Sequence, residues 1–221
     1  MSEKSRKAFL KAIQEYSDYL KLSCFKTECE NIFNDAALSE ISYEEVVYKL
    51  LQKEYDLRVE NVKKNRIRLA NFPYRKYLEE IRVEELPEDA QNKLNYLSSL
   101  AFINEGPNII FSGNPGTGKT HLAIALGIKE CLEGFKVLFT TVAVFINQLK
   151  ESRTQKTLRA FQNKFEKYDL VILDEFGYIS SDKEGAELLF TNLFLRTGRK
   201  STIVTTNLSF DRWSEVFVDP V

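Results

Sequence analysis

Two patterns of hydrophobic and polar positions divide the chain. Over roughly the first 70 residues, apolar side chains recur every three or four positions, which predicts amphipathic helices. The first such stripe consists of Phe9, Ala12, Ile13, Tyr16 and Leu20. We expect this stripe to be the buried face of the first helix.

A later helix has a well-marked start at Ser42. Ser42 and Glu45 have the spacing of a capping box, and Ile41 and Val46 are placed for a hydrophobic staple around it. Proline cannot continue a helix, so Pro73 should end this one after a charged stretch. The apolar residues that the predicted helix carries are Val46, Val47, Leu50, Leu51 and Tyr55.

A linker is predicted over residues 71–87, followed by another amphipathic helix. That helix ends at the turn-forming pair Gly106-Pro107. Its predicted apolar face consists of Ala90, Leu94, Leu97 and Ala101.

The pattern changes after Pro107, where short apolar runs alternate with helical segments. This alternation predicts an α/β fold with a parallel sheet flanked by helices. The helices between the strands include Lys119–Glu133 and Glu184–Arg196. We therefore predict a helical N-terminal domain and linker over residues 1–80 and an α/β domain over residues 81–221. The predicted strands are Asn108–Ser112, Lys136–Thr141, Leu170–Glu175 and Ser201–Asn207.

A phosphate-binding loop is the strongest chemical signal in the sequence. Residues 113–120 read GNPGTGKT, which fits G-x-x-x-x-G-K-[ST] and lies between a predicted strand and a predicted helix. Glycines let successive N–H groups point at an anion, and the following helix N-terminus adds to the attraction. A chance strand–turn–helix sequence is the alternative. The candidate nucleotide-binding residues are Gly113, Asn114, Pro115, Gly116, Thr117, Gly118, Lys119, Thr120 and His121, with a packing role as the alternative for His121.

The candidate catalytic residues are Lys119, Asp174, Glu175 and Asn207, and the candidate Mg²⁺ ligands are Thr120 and Asp174. Lys119 would reach the β and γ phosphates of ATP. Asp174 and Glu175 end a buried strand at the edge where α/β folds bind ligands, and Glu175 would accept a proton from the attacking water. Asn207 ends a later strand and would contact the γ-phosphate or the water. Solvated acids and a turn-forming asparagine are the structural alternatives.

Composition places the chain among soluble globular proteins. Its 221 residues are 43% hydrophobic and 29% charged, with a formal net charge of −1, so any DNA contact must come from local patches. Without an apolar run long enough to cross a membrane, and with three cysteines in no metal-binding pattern, it is expected to be cytoplasmic. Two basic stretches, Arg58–Lys76 and Lys150–Lys167, are the candidate DNA contacts, with solvated helix faces as the alternative.

The sequence resembles AAA+ ATPases, and more narrowly the IstB-like ATP-binding proteins of insertion sequences, which are relatives of the DnaC-type helicase loaders. The resemblance covers most of the chain. It rests on GNPGTGKTHLAIALGIKEC, LVILDEFGYIS, EGAELLF, STIVTTNLSFDRW and, in the helical part, RLANFPYRKYLEEI.

The resemblance implies an ATPase that binds ATP and Mg²⁺, binds DNA, forms ATP-dependent homo-oligomers and stimulates a transposase. Helicase loading is the alternative role, and an ATP-gated interaction module and a small-molecule kinase are two further ones. The family pattern continues beyond the residues matching FVDPV with a fifth strand, an arginine-bearing helix and a lid. The chain is therefore expected to have weak activity, with Arg196, Arg199 and Arg212 as possible arginines acting on a neighbouring subunit.

Overall fold

The computed structural model describes residues 3–39, 41–177 and 182–213. The chain divides into two compact units, residues 1–64 and 65–221. The division falls within a helix, α3, and the sequence-based domain boundary at residue 80 stays a prediction. The helices that begin in the first unit are α1 Glu3–Tyr19, α2 Ser23–Ser39 and α3 Tyr43–Leu69.

The predicted apolar stripe of α1 is only partly buried. Its members Phe9, Tyr16 and Leu20 are about 60–70% exposed, whereas its member Ile13 packs against the core of this unit together with Leu10, which was not predicted. The buried face also includes Ser17, so it is rotated by about one residue, or ~100°, from the predicted stripe. Apolar residues cover two adjacent faces of α1, and packing against α2 decides which of them is buried.

The predicted start of α3 is confirmed. The Glu45 backbone N–H donates to the Ser42 hydroxyl at 3.2 Å, and Ile41 packs against the cluster that buries Val46. Val46 and Leu50 form the buried face, and the other predicted apolar residues of this helix are exposed. These exposed residues are Val47, Leu51 and Tyr55.

The linker and the helix after it are more structured than predicted. Two short 3-10 turns, Leu78–Glu80 and Val83–Glu85, lie within the linker. The predicted single helix is two, α4 Glu88–Ser99 and α5 Ala101–Glu105, because Leu100 adopts a left-handed backbone with φ +60°.

Within the described residues, the sheet contains four parallel strands in the order β1-β4-β3-β2. The strand order confirms that the last described strand inserts between the strand before the phosphate loop and the acidic strand. All four strands were predicted to within one residue. They are β1 Asn108–Ser112, β2 Val137–Thr141, β3 Leu170–Phe176 and β4 Ser201–Thr206.

Helices cover both faces of the sheet. One hydrophobic cluster joins α4, α5 and α6 to the sheet, and a second joins α7, α8 and α9 to it. α6 has the predicted bounds and is buried over most of its length, ending at Gly134 in a left-handed cap. The remaining bounds are α6 Lys119–Glu133, α7 Val142–Thr154, α8 Leu158–Phe165 and α9 Lys183–Arg196.

Arg196 is part of the core rather than an arginine that could reach a neighbouring subunit. It is 1% exposed, and its guanidinium donates to the backbone carbonyls of Phe165, Tyr168 and Ser201, each at 3.0 Å. The guanidinium also lies over the Phe165 ring, 5.1 Å from its centroid. Burial lowers its pKa to about 10, and the carbonyls offset the cost of burying a charge.

Candidate nucleotide-binding site

The phosphate loop connects β1 to the first residue of α6. Gly116 and Gly118 have φ values of +81° and +83°, a backbone conformation that other residues adopt only under strain. The helix starts at Lys119, directly after Gly118. The N–H groups of its first residues have no partner within the helix, and they lie next to the loop. The local geometry is that of an anion-binding loop at a helix N-terminus.

The Lys119 ammonium is held by its own loop. Nζ donates to the carbonyls of Gly113 at 2.9 Å and Asn114 at 2.8 Å. Partial burial lowers the pKa of Lys119, and the negative charge of Asp174 opposes this effect. A bound phosphate would give the ammonium a charged partner in place of these neutral carbonyls.

Asp174 is buried and receives hydrogen bonds from two threonines. The Thr120 hydroxyl donates to Oδ1 of Asp174 at 2.9 Å, and the Thr205 hydroxyl donates to the same oxygen. Asp174 is 6% exposed, so these donors stabilise a carboxylate with little access to water. Thr120 and Asp174 were predicted as metal ligands from the sequence, whereas Thr205 was not predicted.

Glu175 differs from Asp174 in both exposure and backbone. Its side chain is exposed, and its φ of +62° is uncommon for a residue other than glycine. Its backbone N–H donates to Thr205 Oγ1 at 3.1 Å. The register between β3 and β4 shifts between Leu173 and Phe176, so the two acids lie at an irregularity of the sheet.

The tip of β4 is joined to both neighbouring strands. The Thr206 carbonyl accepts a hydrogen bond from the Gly113 N–H at 3.3 Å, and the Thr206 hydroxyl donates to the Phe176 carbonyl at 2.8 Å. Asn207 follows directly and has an exposed side chain. The strand order thus places Asn207 between the phosphate loop and the acidic residues, as predicted by analogy with the additional-strand ATPases.

A cavity of about 560 Å³ brings most of the predicted residues together. This volume lies within the ~300–1,000 Å³ range of small-molecule and cofactor sites. Three predicted loop residues do not line this cavity, namely Gly113, Asn114 and Thr117. The carbonyls of the first two accept hydrogen bonds from Lys119, and Thr117 lines two neighbouring cavities. The predicted residues that line it are Pro115, Gly116, Gly118, Lys119, Thr120, His121, Asp174, Glu175 and Asn207.

Tyr74 is a cavity residue that the sequence analysis missed. The segment before it is fixed to the core, since the Ala70 carbonyl accepts the Phe139 N–H at 2.7 Å. The Tyr74 ring meets His121 edge-on, with the ring centroids 5.3 Å apart. Burial, and then the charge of Asp174, raise the pKa of the Tyr74 phenol. His121 is exposed and lines the cavity, so it does not start its helix as a buried packing residue.

The polar residues of the cavity fit Mg²⁺ bound together with a nucleotide. Mg²⁺ favours one or two protein oxygens together with phosphate oxygens and water. The Thr120 hydroxyl and the Asp174 carboxylate offer such oxygens at adjacent positions. Over the described ranges there is no cluster of three or more His, Cys, Asp or Glu residues suited to an all-protein metal site.

Comparison with known proteins decides the family. The model of the IstB-like ATP-binding proteins matches residues 16–221. The chain belongs to this family. A protein of insertion sequence IS232 from Bacillus thuringiensis subsp. berliner, named for ATP binding, is 33% identical over 92% of this chain and 81% of its own length. The corresponding IS21 protein of Pseudomonas aeruginosa is 34% identical over 91% of this chain and 76% of its own length.

Solved structures support the AAA+ fold of this IstB-like chain. AMPPCP-bound DnaA from Aquifex aeolicus has a TM-score of 0.53 at 24% identity, covering 63% of this chain and 44% of that one. The DnaC helicase loader has a TM-score of 0.52 at 23% identity, covering 72% of this chain and 89% of that one. At these identities the likeness concerns the fold alone.

The basic stretches of this family member are partly neutralised. Arg58, Lys64 and Lys76 pair with glutamates on their own helix or turn, at 2.8–2.9 Å. In the second stretch, Lys150 pairs with Asp182 at 2.6 Å and Arg153 with Glu184 at 3.1 Å. The remaining basic side chains of the second stretch, all exposed, are Lys156, Arg159, Lys164 and Lys167. In the described part of the chain, no helix is both long and apolar enough to span a bilayer.

Proposed function

We propose that this chain is the ATP-hydrolysing helper of a DNA transposition system, which binds Mg²⁺-ATP, assembles on DNA and stimulates a partner transposase. Its relatives are insertion-sequence proteins named for ATP binding. The observation that carries the ATPase proposal is the convergence of Lys119, Thr120 and Asp174 on one cavity at the carboxyl edge of the sheet. Likeness to helicase loaders concerns the fold alone, so the insertion-sequence relatives favour transposition.

Each residue of the cavity has a distinct proposed role. Lys119 leaves the loop carbonyls and neutralises charge on the β and γ phosphates. Thr120 and Asp174 would hold the Mg²⁺ ion, which would supply positive charge to the transferring phosphoryl group. Glu175, exposed in the cavity, orients and deprotonates the attacking water, and Asn207 aligns that water with the γ-phosphate.

The separation of binding from turnover tests this assignment. Replacing Glu175 with glutamine removes the base but keeps the size and polarity of the side chain. We expect Glu175→Gln to bind ATP within about threefold of wild type and to lower kcat by roughly 100-fold or more, which is the range typical of general acid–base catalysis. Nucleotide affinity and phosphate release would be measured on the same preparations.

Glu187→Gln is the matched control, because Glu187 is exposed on α9 and does not line the cavity. It should behave as wild type in both measurements. Wild-type turnover by Glu175→Gln would refute the proposed base, and a wild-type chain that retains no nucleotide would refute the ATPase proposal as a whole.

DNA contact is proposed for the exposed part of the second basic stretch, from Lys156 to Lys167. These side chains lie on or beside α8, and the ion pairs at Lys150 and Arg153 leave them as the stretch's available positive charge. Lysine and arginine bind DNA phosphates without regard to sequence, and such binding weakens steeply as salt rises.

Charge reversal tests the DNA proposal. Lys156→Glu, Arg159→Glu and Lys164→Glu combined should weaken DNA binding by roughly tenfold or more and flatten its salt dependence, with ATP affinity unchanged. The control reverses three exposed lysines of α1, Lys4, Lys7 and Lys11. Equal DNA affinity in the two triple variants would exclude the α8 region.

A further inference from the structure

One buried hydroxyl contacts both of the acidic residues. Thr205 is 2% exposed in the central strand β4. Its hydroxyl donates to Asp174 Oδ1 and accepts the Glu175 N–H at 3.1 Å. The same side chain therefore fixes a carboxylate at one residue and the backbone at the next.

The chemistry of the groups sets the direction of these hydrogen bonds. An ionised carboxylate only accepts and a backbone N–H only donates, whereas a hydroxyl has one proton and two lone pairs. The single proton of Thr205 must then serve Asp174, and a lone pair must serve Glu175. Among small side chains, only serine also carries a hydroxyl at this position, so only serine could replace threonine and keep both hydrogen bonds.

The irregular backbone at Glu175 explains why its N–H is hydrogen-bonded to the Thr205 hydroxyl. Glu175 has a φ of +62°, and regular β3–β4 pairing is interrupted between Leu173 and Phe176. The N–H of Glu175 therefore bonds to a side chain instead of a strand carbonyl. Without Thr205 this N–H would have to find water or a different backbone conformation.

Thr120 and Thr205 differ in how they can respond to a metal. Both donate to Asp174 Oδ1, but Thr120 belongs to the phosphate loop and is a proposed metal ligand. A Thr120 hydroxyl that bound Mg²⁺ through a lone pair would keep its proton for Asp174, but it would then serve the metal and the carboxylate at once. Thr205 lies in a fully buried strand, and its hydroxyl contacts both acidic residues from within the sheet.

We propose that Thr205 is a positioning residue that holds Asp174 toward the metal and Glu175 toward the attacking water. The proposal rests on the ATPase function proposed above and adds a residue outside the sequence motifs. It assigns Thr205 no contact with ATP, and its action is through the two acids.

A series of three variants tests the role. Thr205→Val keeps the shape and removes both hydrogen bonds, and Thr205→Ser keeps the hydroxyl. Thr202→Val is the matched control, because Thr202 is another buried hydroxyl of β4, 2% exposed, that lies outside the cavity. The measurements are amide exchange at Glu175 without nucleotide, ATP affinity with and without Mg²⁺, and kcat with KM.

For Thr205→Val we expect exchange of the Glu175 amide to be at least about tenfold faster. Affinity for metal-free ATP should be unchanged, while the gain in affinity on adding Mg²⁺ and the kcat should each fall by roughly 10- to 100-fold, as is typical when residues that orient metal ligands are changed. Thr205→Ser and Thr202→Val should stay within about threefold of wild type in all of these.

Two results with Thr205→Val would overturn the proposal. One is wild-type exchange at Glu175 in Thr205→Val, and the other is a wild-type kcat and Mg²⁺ response in that variant. Equal losses in Thr202→Val would also overturn it, by showing a general effect of strand hydroxyls. Amide exchange is measured without nucleotide, so it tests the Glu175–Thr205 hydrogen bond independently of ATP hydrolysis. Absence of ATP hydrolysis by the wild-type chain would instead refute the proposed function.

Discussion

The two ends of the parallel sheet use buried polar groups differently. At the carboxyl end, Asp174 is buried but opens on a cavity through Thr120 and the phosphate loop. At the amino end, Arg196 is enclosed by backbone carbonyls and Glu130 is fully buried on α6. Neither Glu130 oxygen has a hydrogen-bond partner among the described residues.

The difference teaches that burial alone does not identify a functional charge. Groups at the carboxyl end can exchange their present partners for a ligand, whereas the Arg196 side chain is 1% exposed and is held by backbone carbonyls. Mutations at the carboxyl end should change ligand affinity, and mutations at the amino end should change stability.

The largest effect is expected at the amino end. Arg196→Met would keep much of the volume and leave four buried or partly buried backbone carbonyls and the Thr202 hydroxyl without this donor. We expect it to lower the free energy of unfolding by about 3–5 kcal/mol, as when a buried charged partner is removed. Urea denaturation measures this, with the exposed Arg199→Met as control. A stable Arg196→Met with lost ATPase activity would instead indicate a direct role for Arg196 in hydrolysis.

At the carboxyl end the effect should appear in binding. Lys119→Ala removes the ammonium that we expect to contact phosphate, so ATP affinity should fall by at least about 100-fold, or about 2.7 kcal/mol. The unfolding midpoint should change little, since Lys119 contacts carbonyls of Gly113 and Asn114, a partly buried and an exposed residue of the phosphate loop. Fluorescent-nucleotide titration measures the affinity, and Lys129→Ala, on the same helix, is the control. Comparable ATP affinities for the two variants would contradict the expectation that mutations at the carboxyl end of the sheet change ligand binding.

A smaller, pH-dependent effect is expected at Glu130. Burial first, and then the charges of Asp169 and Glu133, raise its pKa to about 8 from an ordinary 4.5. Between these pH values the native state keeps a proton on Glu130 that the unfolded chain releases. The contribution of this group to the free energy of unfolding is therefore fully present below pH 4.5 and is lost as pH rises toward 8.

Glu130→Gln removes this proton exchange and keeps the shape. The variant should gain about 1–3 kcal/mol relative to wild type between pH 5 and pH 8.5, measured by denaturation at several pH values. Glu187→Gln, at an exposed position of α9 whose charge does not contribute to the raised pKa of Glu130, should follow the wild-type profile. Parallel profiles for wild type and Glu130→Gln would show that Glu130 does not titrate in this range.

Local patterns explain what the sequence could predict. The strands have uninterrupted apolar runs, and the phosphate loop is a contiguous motif, so neither depends on knowing distant neighbours. The order of β4 in the sheet came from analogy with related ATPases. Asp174 and Glu175 were identified because they end a strand downstream of that loop.

The missed residues depend on contacts far along the chain. Thr205 is an ordinary strand residue by propensity, and its partners Asp174 and Glu175 become adjacent only through β3–β4 pairing. Arg196 has the position of a basic residue in the last turn of a helix, a pattern that is also typical of exposed caps. Nothing local distinguishes its burial. The left-handed Leu100 likewise lacks the glycine that would mark a helix break.

The position of β4 has a consequence for the order in which the protein is made. In the described sheet, β4 lies between β1, the strand before the phosphate loop, and β3, the acidic strand, and it is translated after both of them. A ribosome-bound chain that has emerged through residue 177 therefore carries the phosphate loop and both acids without the strand that joins them. The ability to retain ATP should arise late in synthesis, once residues 201–206 leave the exit tunnel and insert between their neighbours.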